Sequence, residues 1–122
     1  MNLFVYGTLM IPEVIRGLGL TPPTFLKGSM EGFFTARLEG FPYPLLVVDP
    51  EGKLQGQIWR NVTPSTMEVL REYEGVGYTE SKAWAHDLKG RKWDCSIFIP
   101  LQLLYRGWEI RDANVKLAPK EC

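Results

Sequence analysis

Two stretches of the chain, Phe25 to Val62 and Tyr78 to Ile99, consist of short runs rich in β-branched and aromatic residues, each soon broken by glycine, proline or aspartate. Runs of that kind make half-buried strands joined by turns rather than helices. The spacing predicts strands over Phe25 to Met30, Phe33 to Leu38, Pro44 to Val48 and Leu54 to Val62, with a turn at Asp49-Pro50-Glu51-Gly52. Tyr78 to His86 and Trp93 to Ile99 read as a hairpin around Lys89-Gly90, and Leu3 to Tyr6 as a buried strand that stops at Gly7. The segment after Gly107 carries only a weak strand signal.

Two helices interrupt this pattern. Pro12 suits the first helical position, with Glu13 favourable in the first turn, and Gly17 and Gly19 end the segment. Thr63-Pro64 supplies an N-cap followed by proline, good helix formers run through Glu74, and Gly75 follows as a stop. Many strands with two inserted helices predict an α+β fold with a strongly curved sheet, open or closed into a barrel, whose strands pair mostly antiparallel.

A chain of 122 residues has the size of one domain, here residues 1–122. Fourteen basic residues balance fourteen acidic ones and are scattered apart from Lys89, Arg91 and Lys92, so nucleic acid is not an expected partner. The most apolar stretch, Ile97 to Tyr105, is broken by Pro100 and Gln102 and falls far short of the roughly 20 residues that span a bilayer, so no membrane association is expected. The N-terminus has no basic segment or signal core, which reads as cytoplasmic. Cys95 and Cys122 have the spacing of neither a disulfide framework nor a metal site, and one histidine, His86, leaves no pair for a metal.

Two places carry chemistry. Residues four and seven apart share a helix face, so Glu74 projects with Leu70 and Met67 from the apolar side, while Glu68, Arg71 and Glu72 fall on the solvated side, where Glu68 and Arg71 can pair. A carboxyl held on the buried side at the end of a helix has its charged form disfavoured, which raises its pKa and suits it to give and take protons near neutrality. The alternative is that the helix end frays and Glu74 reaches water beside Gly75. At the other end of the chain, Tyr6-Gly7-Thr8-Leu9 follows a strand directly, and Gly7 allows a backbone turn that aims successive N–H groups at an anion or oxyanion. An ordinary tight turn would explain the same four residues.

Taken together, Phe4-Val5-Tyr6-Gly7-Thr8-Leu9-Met10 with Pro12-Glu13-Val14, the strand Gly56-Gln57-Ile58-Trp59, and Tyr73-Glu74-Gly75 with Tyr78 resemble the γ-glutamylcyclotransferase-like (AIG2-like) family over nearly the whole chain. The resemblance implies a small mixed β-barrel with flanking short helices. It implies that Glu74 is the catalytic acid/base, that Tyr6, Gly7, Thr8, Leu9 and Tyr78 bind a small-molecule γ-glutamyl substrate, and that no metal or organic cofactor is needed. Its oligomeric state is left open. Three positions depart from the family's usual residues: Arg71 stands where an aspartate is common, Glu80 where an arginine follows, and Phe98 where a tyrosine is frequent. The activity implied is an acyl transfer within the substrate that yields 5-oxoproline and a free amine. Two readings compete with it. One is a non-catalytic binding module that holds a small carboxylate-bearing metabolite in the same cavity, and the other an interaction protein presenting Trp84, Trp93 and Trp108.

Overall fold

The computed structural model describes residues 1–36, 40, 45–101 and 104–105. Along them run β1 (Leu3–Val5), a 3-10 turn (Gly7–Met10), α1 (Pro12–Gly17), β2 (Phe25–Ala36), β3 (Leu45–Trp59), α2 (Pro64–Glu74), a second 3-10 turn (Gly75–Gly77), β4 (Tyr78–Asp87), β5 (Lys92–Pro100) and the short β6 (Leu104–Tyr105).

The strands close on themselves. β3 pairs antiparallel with β2, β2 with β4 and β4 with β5; β5 then runs parallel to β1, and β1 returns antiparallel to β3. The result is a five-strand mixed barrel with two short helices, to which β6 adds a parallel pair at Val47 and Val48. Closure removes the edges that an open sheet of this size would present to other chains.

Period-two alternation explains the two halves of the core. Phe4, Met30, Leu46, Leu54, Ile58, Ala85, Cys95 and Ile97 fill the barrel interior. Their strand neighbours point the other way, so Leu3, Val5, Trp59 and Phe98 form a second apolar cluster with Leu9, Ile15, Met67 and Leu70, which the helices cover. β1 is therefore buried on both faces, which is why its residues read as a continuous apolar run. Cys95 is fully buried in the first cluster.

The sequence reading needs correction along β2 and β3. The four strands expected there are two long ones, with the residues expected to form a turn, 49–52, lying inside β3. Register passes from Glu31↔Lys53 to Phe33↔Val48, so Gly32 alone faces four residues of β3 and the ladder resumes beyond them. The local turn chemistry is present, since the Asp49 carboxylate accepts the Glu51 N–H at 2.9 Å, but it makes a bulge that bends the strand around the barrel instead of reversing the chain. β3 also stops at Trp59 and β1 at Val5, short of Val62 and Tyr6. Leu38, Pro44 and the segment after Gly107 lie outside the described residues.

The barrel end opposite Tyr78 is locked at Asp87. Its carboxylate accepts the backbone N–H groups of Lys89 and Arg91 at 2.9 and 3.0 Å, Arg91 Nε at 2.8 Å and the Trp93 indole N–H at 3.1 Å. Burial works against the charge, but these donors outweigh it and hold the carboxyl well below the usual carboxylate range.

Candidate active site

The loop expected to gather N–H groups is the 3-10 turn Gly7–Met10, entered directly from β1. Gly7 has φ of 72°, a left-handed conformation that lets the chain leave the barrel wall and turn at once. The first amides of so short a turn have no carbonyl partner within it. Two hydroxyl contacts fix the turn in place. Tyr6 Oη donates to the Phe98 carbonyl at 2.6 Å, tying the loop to β5, and Thr8 Oγ1 lies 2.8 Å from Tyr73 Oη, tying it to α2.

α2 begins as its sequence dictates, with Thr63 Oγ1 accepting the Thr66 N–H at 3.2 Å and Pro64 in the first turn. Met67 and Leu70 are buried against the barrel, which sets the rotation of the helix and turns Glu74, on the same face, inward. Glu74 is half-buried, and that burial raises its pKa above the ordinary glutamate value. Tyr78 opens β4 just past the second 3-10 turn. The Tyr6 phenol is pushed far up, first by burial and then by the nearness of Tyr78 and Glu74, so it stays protonated and keeps its bond to Phe98.

These elements enclose a cavity of about 760 Å³. Glu74, Tyr6, Gly7, Thr8, Leu9 and Tyr78 all line it, so two candidate regions separated by most of the chain meet at one place. Among the lining residues that the sequence did not mark as site residues are Phe34 and Thr35 on β2, Lys53 and Gln55 on β3, and Tyr73 on α2. Tyr73 had a signal in its place beside Glu74. The β-strand residues had none, because polar residues alternating with a buried Leu54 look like any solvated strand face.

The solvated side of α2 carries a pairing beyond the expected one. Arg71 hydrogen-bonds to Glu80 on β4 through Nε and Nη2, while Glu68, one turn back, acts on it through charge alone. Two of the three departures from the family pattern are thus partners of each other. The third, Phe98, lines the cavity, and its backbone carbonyl receives the Tyr6 hydroxyl. Of the three tryptophans considered, Trp84 is 57% exposed, Trp93 is half-buried with the Arg60 and Arg91 guanidinium groups near its ring, and Trp108 lies outside the described residues. Among the described residues no group of His, Cys, Asp and Glu side chains gathers in a metal-holding arrangement, and no helix is long and apolar enough to cross a membrane.

A closed mixed barrel with a strand-to-turn loop and a helix-borne carboxyl facing one cavity is the architecture of a known class. The family described as "Gamma-glutamyl cyclotransferase, AIG2-like" matches residues 3–114, and the chain belongs to that family. It is similar to AIG2-like protein C of Arabidopsis thaliana, with 36% identity over 77 residues that make up 63% of this chain and 45% of that protein. AIG2-like protein A of the same plant is 34% identical over 63% of the chain and 47% of its own length, so the chain spans about half the length of these relatives. Among solved structures, an Arabidopsis thaliana protein superposes with a TM-score of 0.72 at 27% identity, covering 82% of this chain and 68% of that one. A structure named gamma-glutamyl cyclotransferase superposes with a TM-score of 0.65 at 18% identity over 82% of this chain and 66% of its own, a likeness of fold.

Proposed function

We propose that the protein is a γ-glutamylcyclotransferase that converts a γ-glutamyl amine or γ-glutamyl amino acid to 5-oxoproline and a free amine, with Glu74 relaying the protons. The observation that carries this reading is the half-buried Glu74 carboxyl on the same cavity as the turn Gly7–Met10.

The reacting groups belong to one molecule, so the protein needs to fold the substrate, move protons and stabilise the oxyanion. Glu74 takes a proton from the α-ammonium, freeing the nitrogen to attack the γ-carbonyl carbon. A new C–N bond closes the five-membered ring, and the carbonyl oxygen takes up negative charge that the first amides of the 3-10 turn can meet. The ring nitrogen sheds a second proton, the departing nitrogen gains two in all, and the original amide C–N bond breaks. A carboxyl whose pKa burial has raised can act in both directions. Tyr6 and Tyr78 hold the apolar body of the substrate, and the tie between Thr8 and Tyr73 keeps the turn at a set distance from α2.

The test is a panel of γ-glutamyl compounds with 5-oxoproline measured by mass spectrometry, comparing wild type with Glu74→Gln. The reading expects product from at least one compound and a loss in kcat of about 100-fold or more in the variant, the usual scale for a general acid/base. No product from any compound, with a ligand still bound in calorimetry, would make the protein a binding module.

A further inference from the structure

The turn and Glu74 occupy one part of the cavity and account for the γ-glutamyl group alone. Part of the remaining wall comes from β2 and β3, where Phe34, Thr35, Lys53 and Gln55 line it. Resting on the cyclotransferase reading, we propose that Lys53, with Gln55 beside it, forms a subsite for a carboxylate on the departing amine, so that this site favours γ-glutamyl amino acids over γ-glutamyl amines.

The register of the barrel places this wall. β1 pairs with β3 as Leu3↔Trp59, Phe4↔Ile58 and Val5↔Gln57, so the chain leaves the ladder for the turn beside Gln57, and Gln55 is the next residue of β3 on that strand face. The approach there is close, since a Cβ on Gly56 would fall 2.3 Å from the Val5 carbonyl oxygen. Gln55 therefore stands next to the turn that meets the scissile carbonyl. Lys53 lies two residues further along the same strand face, about 7 Å on, and the Glu31↔Lys53 pair shows that the ladder is regular again at that point. A lysine side chain reaches back over such a distance.

The charges agree with the geometry. A γ-glutamyl amine carries one ammonium and one carboxylate, both on the glutamyl part. A γ-glutamyl amino acid adds a second carboxylate one carbon beyond the departing nitrogen, on the side away from the glutamyl group. Among the described residues that line the cavity, Glu74 and Lys53 are the charged ones. Lys53 carries no hydrogen bond or ion pair among the described residues, although Glu31 is opposite it in the ladder. Lys53 is itself exposed, so it meets a carboxylate from the rim of the cavity, where solvent screens part of the attraction.

The experiment compares γ-glutamylalanine with γ-glutamylethylamide, which differ only in the carboxylate of the departing amine. Wild type is expected to favour γ-glutamylalanine in kcat/KM by about tenfold, the scale of one charge-assisted hydrogen bond. Lys53→Met should raise KM for γ-glutamylalanine by about the same factor, leave γ-glutamylethylamide unchanged and keep the melting temperature, while Lys53→Arg should retain the preference. Equal turnover of the two compounds by wild type would overturn the subsite and make Lys53 an ordinary surface lysine beside Glu31, and equal losses for both in Lys53→Met would overturn it by showing that Lys53 acts on the glutamyl part they share. If wild type turns over neither compound, calorimetry on the same proteins reads the subsite directly. Tighter binding of γ-glutamylalanine that Lys53→Met abolishes supports it even though the reaction fails, equal affinities overturn it alone, and binding of neither compound overturns both.

Discussion

Arg71 on α2 and Glu80 on β4 hold each other by two hydrogen bonds, Nε to Oε2 at 2.5 Å and Nη2 to Oε1 at 3.1 Å. The pair closes over the segment that contains both Glu74 and Tyr78, so it sets where the end of α2 sits relative to the start of β4. It lowers the Glu80 pKa by its hydrogen bond to Arg71 and raises that of Arg71. The resemblance read from the sequence leads to the expectation of an acid and then a base at these two places. Arg71 and Glu80 stand there in the opposite order, with opposite charges still face to face.

Arg71→Glu and Glu80→Arg each put like charges together at that closure, whereas the double variant restores attraction. Because the pair is partly exposed and screened, each single change should lower the melting temperature by no more than about 5 °C. The proposed turnover should fall in both singles and return in the double variant, as measured in a mutant cycle with 5-oxoproline as readout. A double variant no better than the worse single would show that the closure does not position the site.

Glu74 has a folded-state pKa raised by burial, so its ionisation opposes folding. Below the unfolded value of about 4.3 the group is protonated in both states and the opposition vanishes; it grows as pH rises through that value and levels off above the folded pKa. Glu74→Gln should therefore melt higher than wild type at pH 7, with the difference shrinking toward pH 4. Melting curves across that range check the sign, and a variant less stable than wild type at neutral pH would place the carboxylate in a favourable environment instead.

Gly7 and the Thr8–Tyr73 contact should behave differently on substitution. Gly7→Val forces a β-branched residue to a φ of 72°, at a cost of about 1–3 kcal/mol, and should weaken ligand binding as well as turnover. Tyr73→Phe removes one exposed hydroxyl contact and should cost only about 0.5–1.5 kcal/mol of stability while loosening the turn. Calorimetry with 5-oxoproline, alongside urea unfolding, separates the two effects.

Leu70 is fully buried beneath α2, one turn before Glu74. Leu70→Ala should lose about 2–5 kcal/mol in urea unfolding, because the helix and barrel close only partly over the space left. Turnover per folded molecule should fall too, since the contact that rotates Glu74 inward is weakened.

Much of this could be read along the chain. Thr63-Pro64 and Gly75 bound α2 because capping is decided by neighbours in sequence, and the spacing of Met67, Leu70 and Glu74 already turns the carboxyl inward. The run Leu3 to Val5 and the hairpin of β4 and β5 follow equally from local alternation and turn chemistry. Other features depend on partners distant in sequence. Asp49-Pro50-Glu51-Gly52 has the composition of a chain reversal, yet it becomes a bulge in β3 because β2 continues past it on the other side of Gly32. Arg71 has an acid within its own helix in Glu68, but the chain brings Glu80 to it in a geometry that engages two guanidinium nitrogens, Nε and Nη2. Lys53 and Gln55 look like solvent-facing strand residues until the 3-10 turn and α2 are laid beside them. Sequence by itself determined the two helices, the cap of α2, the strand β1, the β4–β5 hairpin and the helix face that Glu74 shares with Met67 and Leu70, since those rest on spacing within one segment; closure of the barrel decided the course of β2 and β3 and the cavity, because its walls come from β1, β2, β3, α2, β4 and β5, and only pairing across the whole chain sets which side chains share it.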